Sequence, residues 1–377
     1  MRHALIFIIL FLDVVLGFNI PFAVRYEGSS CLLLDNQQKS HRTKDWRVIA
    51  MSTSNSVPGE ASRQSTGVEV VVVGSCNTDL MTYTPRLPSR GETITGSRFE
   101  TLYGGKGANQ AVMARRMGAR VAMVGCLGED SFGSSYLERL GDEGIDCSCM
   151  RRTRDVATGV AQICVEDAGG ANFIVIVPGA NYALSTADVA MAVEKLNGAR
   201  VMMCQAEVRP EVTLEALERG RAAGMMTLFN PAPAQADLPD RFLELSDVLC
   251  PNETELAILC ERNVDPENDD SVCEGARELI SRGAKAVVVT LGSRGCMLVS
   301  STSEGYRRFA AEKVDAIDTV GAGDAFLGSL GAYLARGAIL EDALRNAVRV
   351  STLTVTRAGA QPSYPRSSDL PQELQLT

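Results

Sequence analysis

The run Asp318-Thr319-Val320-Gly321-Ala322-Gly323-Asp324 puts two glycines and a carboxylate between an extended segment, residues 307–317, and a helical pattern over residues 325–334. Glycines at such a turn let the backbone pass close to a ligand with no Cβ in the way. A helix start presents unpaired N–H groups and the positive end of the helix dipole. Together these make an anion site suited to phosphate. Asp324 sits inside it, and the motif alone gives its carboxylate two readings. It is a functional group of the anion site, or an acidic first-turn residue that complements the dipole. A second glycine-rich start, Gly104-Gly105-Lys106-Gly107-Ala108-Asn109, opens a helix predicted over residues 110–117. It lacks the spaced glycine and trailing Ser/Thr of a Walker A loop. Glycines with a lysine and an amide suit close approach to a polyol; a plain flexible turn would not require their entropic cost.

The elements that must position these residues follow from periodicity. Residues 68–73 are a β-branched run ending at Gly74, the pattern of a central parallel strand. That strand delivers Asn77, Thr78 and Asp79 to its C-terminal edge, where open α/β sheets bind ligands. Residues 82–101 read as edge strands and turns outside the main sheet. Residues 158–165 and 172–177 alternate and are joined by 166–171 with a Gly-Gly pair, a β-hairpin; with 82–101 it makes a small separate sheet. A strand at 121–124 precedes a helix reaching about Gly141, capped by Asp130 or Ser131. From Ser185 the alternation is regular: helices over 186–197, 211–223 and 272–282, strands over 201–205, 226–229, 247–250 and 286–289. A strand at 296–299 is expected to be antiparallel, because the link before it is too short for a crossover. Asn252 and Glu255 have capping-box spacing. Seven or eight strands alternating with helices imply a three-layer α/β core. Polar residues recur at strand C-terminal ends: Asn77, Asp79, Glu207, Asn230, Asn252 and Thr290. A whole row of them, opposite an anion-binding helix start, is more than capping explains.

Composition narrows the function classes. The 377 residues carry 37 basic and 46 acidic side chains, a net charge of −9 with no basic block in the body, which argues against a nucleic-acid partner. Both histidines, His3 and His41, precede residue 50, so the body has neither a Ser-His-Asp triad nor a histidine-ligated zinc. The 11 cysteines are odd in number and scattered without a CxxC pair, and read as small buried hydrophobes in a reducing compartment. Residues 4–12 are apolar but too short and interrupted to span a bilayer; they resemble a signal-peptide core. Residues 19–66 are polar and aperiodic, the composition of a disordered segment, and Met51 would make a natural start. The expected product is cytoplasmic, extending to the nucleus, without membrane contact. Residues 1–66 are an N-terminal extension, leader or disordered, ahead of one domain over 67–377. A secretory or organellar route is the minor alternative.

The motifs, in order, resemble those of the PfkB-type carbohydrate kinases, nearest to the members that act on ribose. The resemblance runs from Val68 to about Pro371. It rests on residues 74–79, GGKGANQ at 104–110, PGAN at 178–181, NPAP at 230–233, residues 251–255, TLGSRG at 290–295, DTVGAGD at 318–324 and GAQPS at 359–363. No single motif decides it, but the ordered set is specific. It implies a ribokinase-like three-layer αβα core with a mostly parallel sheet, plus a small β-sheet lid from segments 76–101 and 155–178. In that family the lid also pairs two subunits, so a homodimer is expected.

The resemblance further implies ATP-dependent phosphorylation of D-ribose at the 5-hydroxyl, with Asp324 as base and Gly321, Ala322 and Gly323 as anion hole. Asn77, Thr78, Asp79, Gly105, Lys106, Gly107, Asn109 and Glu207 would bind the sugar. Asp79 would accept two hydroxyls, since a carboxylate is acceptor-only. Asn252, Thr290, Leu291, Gly292, Ser293, Arg294 and Gly295 would hold the nucleotide together with Gly323, and Glu255 would lie near magnesium. Asp318, Val320, Thr354, Arg357, Gly359 and Ser363 would hold potassium, mostly through backbone oxygens, at a helix end capped by Gly359. The alternative there is plain capping, with Asp318 held by backbone donors. The family commonly has His or Asn near the adenine where this chain has Val348. The rival readings are a kinase for another small sugar or a nucleoside, and a non-catalytic sugar or nucleotide sensor. Asp324 argues against the sensor, which would not need to keep it.

Overall fold

The computed structural model describes residues 67–167 and 172–376. The apolar run 4–12, both histidines, Met51 and the Gly-Gly pair at 169–170 lie outside them.

The chain begins with β1 (Val70–Val73), β2 (Asn77–Thr84) and β3 (Arg98–Gly104), then α1 (Lys106–Arg116), β4 (Val121–Gly128) and α2 (Ser131–Asp142). Next come β5 (Asp146–Thr153), β6 (Gly159–Glu166), β7 (Asn172–Val177) and α3 (Thr186–Lys195). They are followed by β8 (Val201–Gln205), α4 (Pro210–Ala222), β9 (Met226–Asn230), α5 (Asp240–Leu245) and β10 (Val248–Leu249). The remainder is α6 (Glu253–Leu259), α7 (Asp269–Ser281), β11 (Ala286–Thr290), β12 (Cys296–Ser300), β13 (Arg307–Phe309), α8 (Ala322–Ala335) and α9 (Leu340–Thr354).

A nine-stranded sheet runs in the order β13-β12-β11-β10-β9-β8-β1-β4-β5. Strands β5 to β11 of this sheet pair in parallel, and β12 turns back antiparallel on β11, as the short link requires. Because side chains alternate across a strand, β1 divides its valines between the two faces. Val70 and Val72 enter one core with α1, α2, α8 and α9, and Val71 and Val73 enter the other with α3, α4, α5 and α7. This is the three-layer architecture read from the sequence. Helix α8 is buried all round from Asp324 to Ala335. Gly328 makes that possible, because a Cβ there would lie 2.6 Å from the Gln110 carbonyl oxygen of α1.

A second sheet, in the order β3-β2-β6-β7, carries the two segments expected to form a lid. Its strands enter and leave the core at Asn77, Gly104 and Gly159, which lie in one register.

Several elements differ from the sequence reading. Strand β5, which pairs with β4 at the sheet edge, and the short helix α5 were not anticipated. The β5 residues Asp-Cys-Ser-Cys-Met-Arg-Arg-Thr are only partly buried and show no apolar alternation. The extended segment expected over 307–317 keeps its ladder only in β13. The cysteines of the described residues are all free. Burial raises the Cys76, Cys204 and Cys250 thiols, so they act as apolar packing and not as nucleophiles. No helix of the described residues is long and apolar enough to cross a membrane.

Candidate active site

The C-terminal edge of the parallel strands gathers the predicted polar row. Asn77 lies just past β1, Glu207 follows β8, Asn230 ends β9, Asn252 follows β10 and Thr290 ends β11. The strand order turns at the β8/β1 boundary, the kind of place where open α/β sheets hold ligands.

On one side of that boundary two turns press together. Gly105 stands at φ 87, a left-handed conformation, and a Cβ on it would lie 2.7 Å from the Asn77 backbone nitrogen. A Cβ on Gly107 would lie 2.6 Å from the Ser75 nitrogen. The close approach expected at a polyol is, at these two glycines, made to the chain's own backbone. Glu207 locks the junction, its Oε2 accepting the Ser75 hydroxyl at 2.5 Å and the Lys106 amide at 2.9 Å. Asp79 lies over Gly104, where a Cβ would come 2.1 Å from its carboxylate. Burial pushes the Asp79 carboxyl up to about 7, and the charges of Glu207 and Asp324 add to the shift. Thr78 is 1% exposed, and alternation turns it to the opposite face from Asn77 and Asp79. Asn181, the last residue of the PGAN run, anchors Asn77. Its Nδ2 donates to Asn77 Oδ1 at 2.8 Å and its Oδ1 accepts the Cys76 amide at 2.8 Å. That commits the Asn77 oxygen and leaves the Asn77 amide nitrogen for an acceptor.

Gly321, at φ 76, precedes the first turn of α8, and its carbonyl accepts the Tyr364 hydroxyl at 2.9 Å. A Cβ on Gly323 would meet nothing within 4 Å, so this first turn is open on that side. Asp324 is 7% exposed. Its Oδ2 accepts Asn109 Nδ2 at 2.9 Å and its Oδ1 accepts Gln110 Nε2 at 3.0 Å. Asn109, expected at the sugar, is therefore brought to the Asp324 carboxylate. The Lys106 ammonium is desolvated, which works against its charge, but Asp324, Glu207 and Glu255 outweigh this and raise its pKa.

On the other side of the boundary, Asn252 and Glu255 form the predicted capping box, with Asn252 Oδ1 accepting the Glu255 amide at 2.7 Å and Glu255 Oε2 accepting the Asn252 amide at 2.9 Å. Burial raises the Glu255 carboxyl, opposed by the Asn252 amide and Lys106. Thr290 bridges to Asn252, and Leu291 to Gly295 form the turn between β11 and β12. Gly292 and Ser293 are exposed. The Arg294 guanidinium is committed elsewhere, donating to the Glu267 carbonyl at 3.0 Å and to Asp269 at 3.1 Å.

The segment before the anion turn meets the chain after α9. The Ile317 and Asp318 amides donate to the Val355 carbonyl, while Asp318 Oδ1 accepts the Val320 amide at 2.9 Å and Oδ2 the Gly359 amide at 2.7 Å. Helix α9 ends at Thr354, so Gly359 is not its cap as expected from the sequence. Two β-branched residues, Val355 and Thr356, follow, and the Val355 carbonyl is taken by the 317–318 amides. Gly359, at φ 80, instead turns the chain so that its amide reaches Asp318. Thr354, Arg357 and Ser363 lie along this same return, and the Asp318 carboxylate is held by backbone donors. Val348 is 3% exposed and packed within the core.

A buried carboxylate beside an open helix N-terminus, with a lysine among acidic groups at a sheet's switch point, is the arrangement of an α/β protein whose site suits an anionic ligand. Residues 68–367 match the model of the pfkB family carbohydrate kinases, and the chain belongs to that family. It is 44% identical to the ribokinase of Mus musculus over 319 residues, covering 84% of this chain and 98% of that protein. It is 36% identical to a deoxyribokinase of Salmonella typhi over 309 residues, covering 82% and 99%. The structure of the Arabidopsis thaliana ribokinase complexed with ribose and ATP superposes with a TM-score of 0.74 at 30% identity, covering 82% of this chain and all 100% of that one.

Proposed function

We propose that the chain catalyses ATP-dependent phosphorylation of D-ribose at its 5-hydroxyl. The observation that carries this reading is Asp324, buried and held by two amides at the open first turn of α8. Asp324 takes the hydroxyl proton as the sugar oxygen attacks the γ-phosphorus of ATP, whose bond to the bridging oxygen breaks to release ADP. The amides of Gly321 and Gly323 and the α8 dipole face the charge that develops on the transferring group; the Ala322 amide, expected among them, donates to the Thr319 carbonyl at 3.2 Å and would have to leave it to take part. Asn77, Asp79, Lys106 and Glu207 orient the sugar. Asn252, Thr290 and the 291–295 turn line the nucleotide side.

Turnover with ATP across ribose, 2-deoxyribose, other small sugars and nucleosides tests this reading. One relative is a deoxyribokinase, so 2-deoxyribose belongs in the panel. Ribose is expected to give the highest kcat/KM, with the product identified as the 5-phosphate. Tight sugar binding without turnover would instead make the protein a sensor, and preference for a nucleoside would reassign the acceptor.

Among the described residues no three carboxylate, histidine or cysteine side chains converge as a metal cage. That suits magnesium, which is commonly held by one or two carboxylates together with substrate phosphates and water; Glu255 is the candidate here. The ion would neutralise charge on the phosphates. Potassium fits the hard-oxygen set of Asp318 and the carbonyls of Val320, Thr354, Arg357, Gly359 and Ser363, as an addition to the amides that already hold Asp318. Activity and melting temperature should both be higher in potassium than in tetramethylammonium at equal ionic strength, and Asp318→Asn should reduce the difference. Identical kinetics and melting in the two salts would remove the ion from the proposal.

Asp79 must be ionised to accept sugar hydroxyls at both of its oxygens. With its carboxyl raised to about 7, ribose affinity should be about tenfold weaker at about pH 6 than at about pH 8. Without ligand the shift has the opposite consequence for stability. The folded state binds this proton more tightly than the unfolded state, so stability falls as pH rises from the ordinary aspartate range through 7. Calorimetry showing equal ribose affinity at both pH values would take Asp79 out of the sugar site.

We further propose a homodimer through the small sheet. In its edge strand β7, Phe173, Ile174, Val175, Ile176 and Val177 are each 45–60% exposed, and Phe99 on β3 is 61% exposed. A long apolar edge is normally paired or covered, and a second copy offers the same edge. Val175→Lys should shift sedimentation from dimer to monomer. A wild-type monomer at micromolar concentration with full activity would count against the interface. The cytoplasmic and nuclear location expected from the sequence belongs with this proposal, and detection of the native N-terminal peptide would show whether residues 1–50 are present.

A further inference from the structure

Four carboxamides surround the Asp324 carboxylate in two chains. Gln205 Nε2 donates to Gln110 Oε1 at 2.7 Å, and Gln110 Nε2 donates to Asp324 Oδ1 at 3.0 Å. Gln361 Nε2 donates to Asn109 Oδ1 at 3.0 Å, and Asn109 Nδ2 donates to Asp324 Oδ2 at 2.9 Å. An ionised carboxylate only accepts, so each amide touching it must present its NH2 and point its oxygen away. That polarity passes outward through the next amide. At the outer ends it leaves Gln205 Oε1 and Gln361 Oε1 buried with no hydrogen-bond partner. Among the described residues only one other buried side-chain atom is in that state, Thr78 Oγ1. Turning either terminal amide around would set oxygen against oxygen inside the chain. The two orphaned oxygens mark a network aligned on one charge. Both ends are fixed. Gln205 closes β8, and the Gln361 carbonyl accepts Arg116 Nη1 at 2.6 Å.

We infer that Gln110, backed by Gln205, and Gln361, acting through Asn109, are positioning residues that hold the Asp324 carboxylate in the orientation it needs to take the sugar proton. This rests on Asp324 as the base.

The test is a cycle in the full chain. Gln110→Met and Gln361→Met keep side-chain length and remove the donor. Gln110→Met is expected to lower kcat about 10-fold to 100-fold, the range of one hydrogen bond to a charged group, and Gln361→Met, which breaks a bond to the neutral Asn109 amide, about 2-fold to 10-fold. Ribose affinity by calorimetry should stay within about twofold, since neither side chain is placed at the sugar. In an Asp324→Asn background the same substitutions should lower the residual rate by less than about twofold, because nothing remains to position. Losses that multiply in the double variants, or ribose binding that weakens in step with kcat, would overturn the inference. The Asp324→Asn variant alone decides whether Asp324 is the base, so the two failures are distinguishable. If Gln110→Met does not fold, Gln361→Met reads the same network from the other carboxylate oxygen.

Discussion

Asp324→Asn is expected to lower kcat by about 10²–10⁴, the usual worth of general-base catalysis, while ribose and ATP binding stay near wild type. The substitution is isosteric, and Asp324 is 7% exposed at the start of a helix buried along its length. The fold therefore has little reason to move. What changes is chemistry: an amide cannot take the proton of the attacking hydroxyl. Its NH2 must also face one of two donors, Asn109 Nδ2 or Gln110 Nε2, which now hold the carboxylate at 2.9 and 3.0 Å. The Gly321–Gly323 turn and the α8 dipole are untouched, so transition-state charge is still stabilised and a residual rate is expected. Steady-state kinetics paired with calorimetry separates the two effects. A variant that keeps more than half of wild-type kcat, with the protein folded, removes Asp324 from the role of base.

Glu143→Gln is expected to destabilise the protein by about 3–5 kcal/mol at neutral pH, because it breaks a buried ion pair by removing one partner. The Glu143 side chain has no exposure and Arg116 only 7%. The two pair at 2.5 Å, with Arg139 at 2.8 Å and Arg366 at 3.3 Å from the same carboxylate. Burial works to raise the Glu143 carboxyl, but Arg116 first, then Arg139 and Arg366, hold it below the usual glutamate range. A depressed folded-state value contributes stability that is present above the unfolded value, about 4.3, and is lost as pH falls through the folded one. The difference between wild type and variant should therefore shrink in acid. Arg116 also donates to the Gln361 and Tyr364 carbonyls at 2.6 and 2.8 Å, so the loss should loosen the segment that reaches Gly321 and Asn109. Urea unfolding at neutral and acid pH measures both parts. A variant within about 1 kcal/mol of wild type at neutral pH would show that the pair is not held as described.

The layer architecture was legible because β1 and β11 are continuous β-branched runs and the helices between them begin with recognisable caps such as Ser185 and Asn252. Strand β5 was not, because an edge strand half in solvent needs no apolar alternation. The helix end predicted at Gly359 failed for a tertiary reason. The Val355 carbonyl is captured by amides from 317–318, and no propensity within α9 encodes that. At the site, glycine turns and strand-end polar residues announced themselves by type. Gln110 and Gln361 did not, although both lie inside quoted motifs. An amide in a helix or short turn looks like ordinary surface until residues 214 apart in sequence are brought together around one carboxylate. A cue was present all the same: Gln205 closes the otherwise apolar run Val201 to Cys204 and is fully buried.

The turn in strand order at β1 and β8 has a consequence for how preferences are inherited. The acceptor-side candidates, Asn77 to Glu207, come from one contiguous stretch that ends just after β8, and the donor-side candidates, Asn252 to Gly295, from the next. Recombination between relatives in the α4–β9 connection, within residues 223–225, would therefore exchange one recognition half and leave the other intact. A hybrid carrying the first half of a deoxyribokinase should acquire that enzyme's sugar preference while keeping its own nucleotide dependence, and gene exchange at this one seam could diversify acceptors without rebuilding the phosphate donor site.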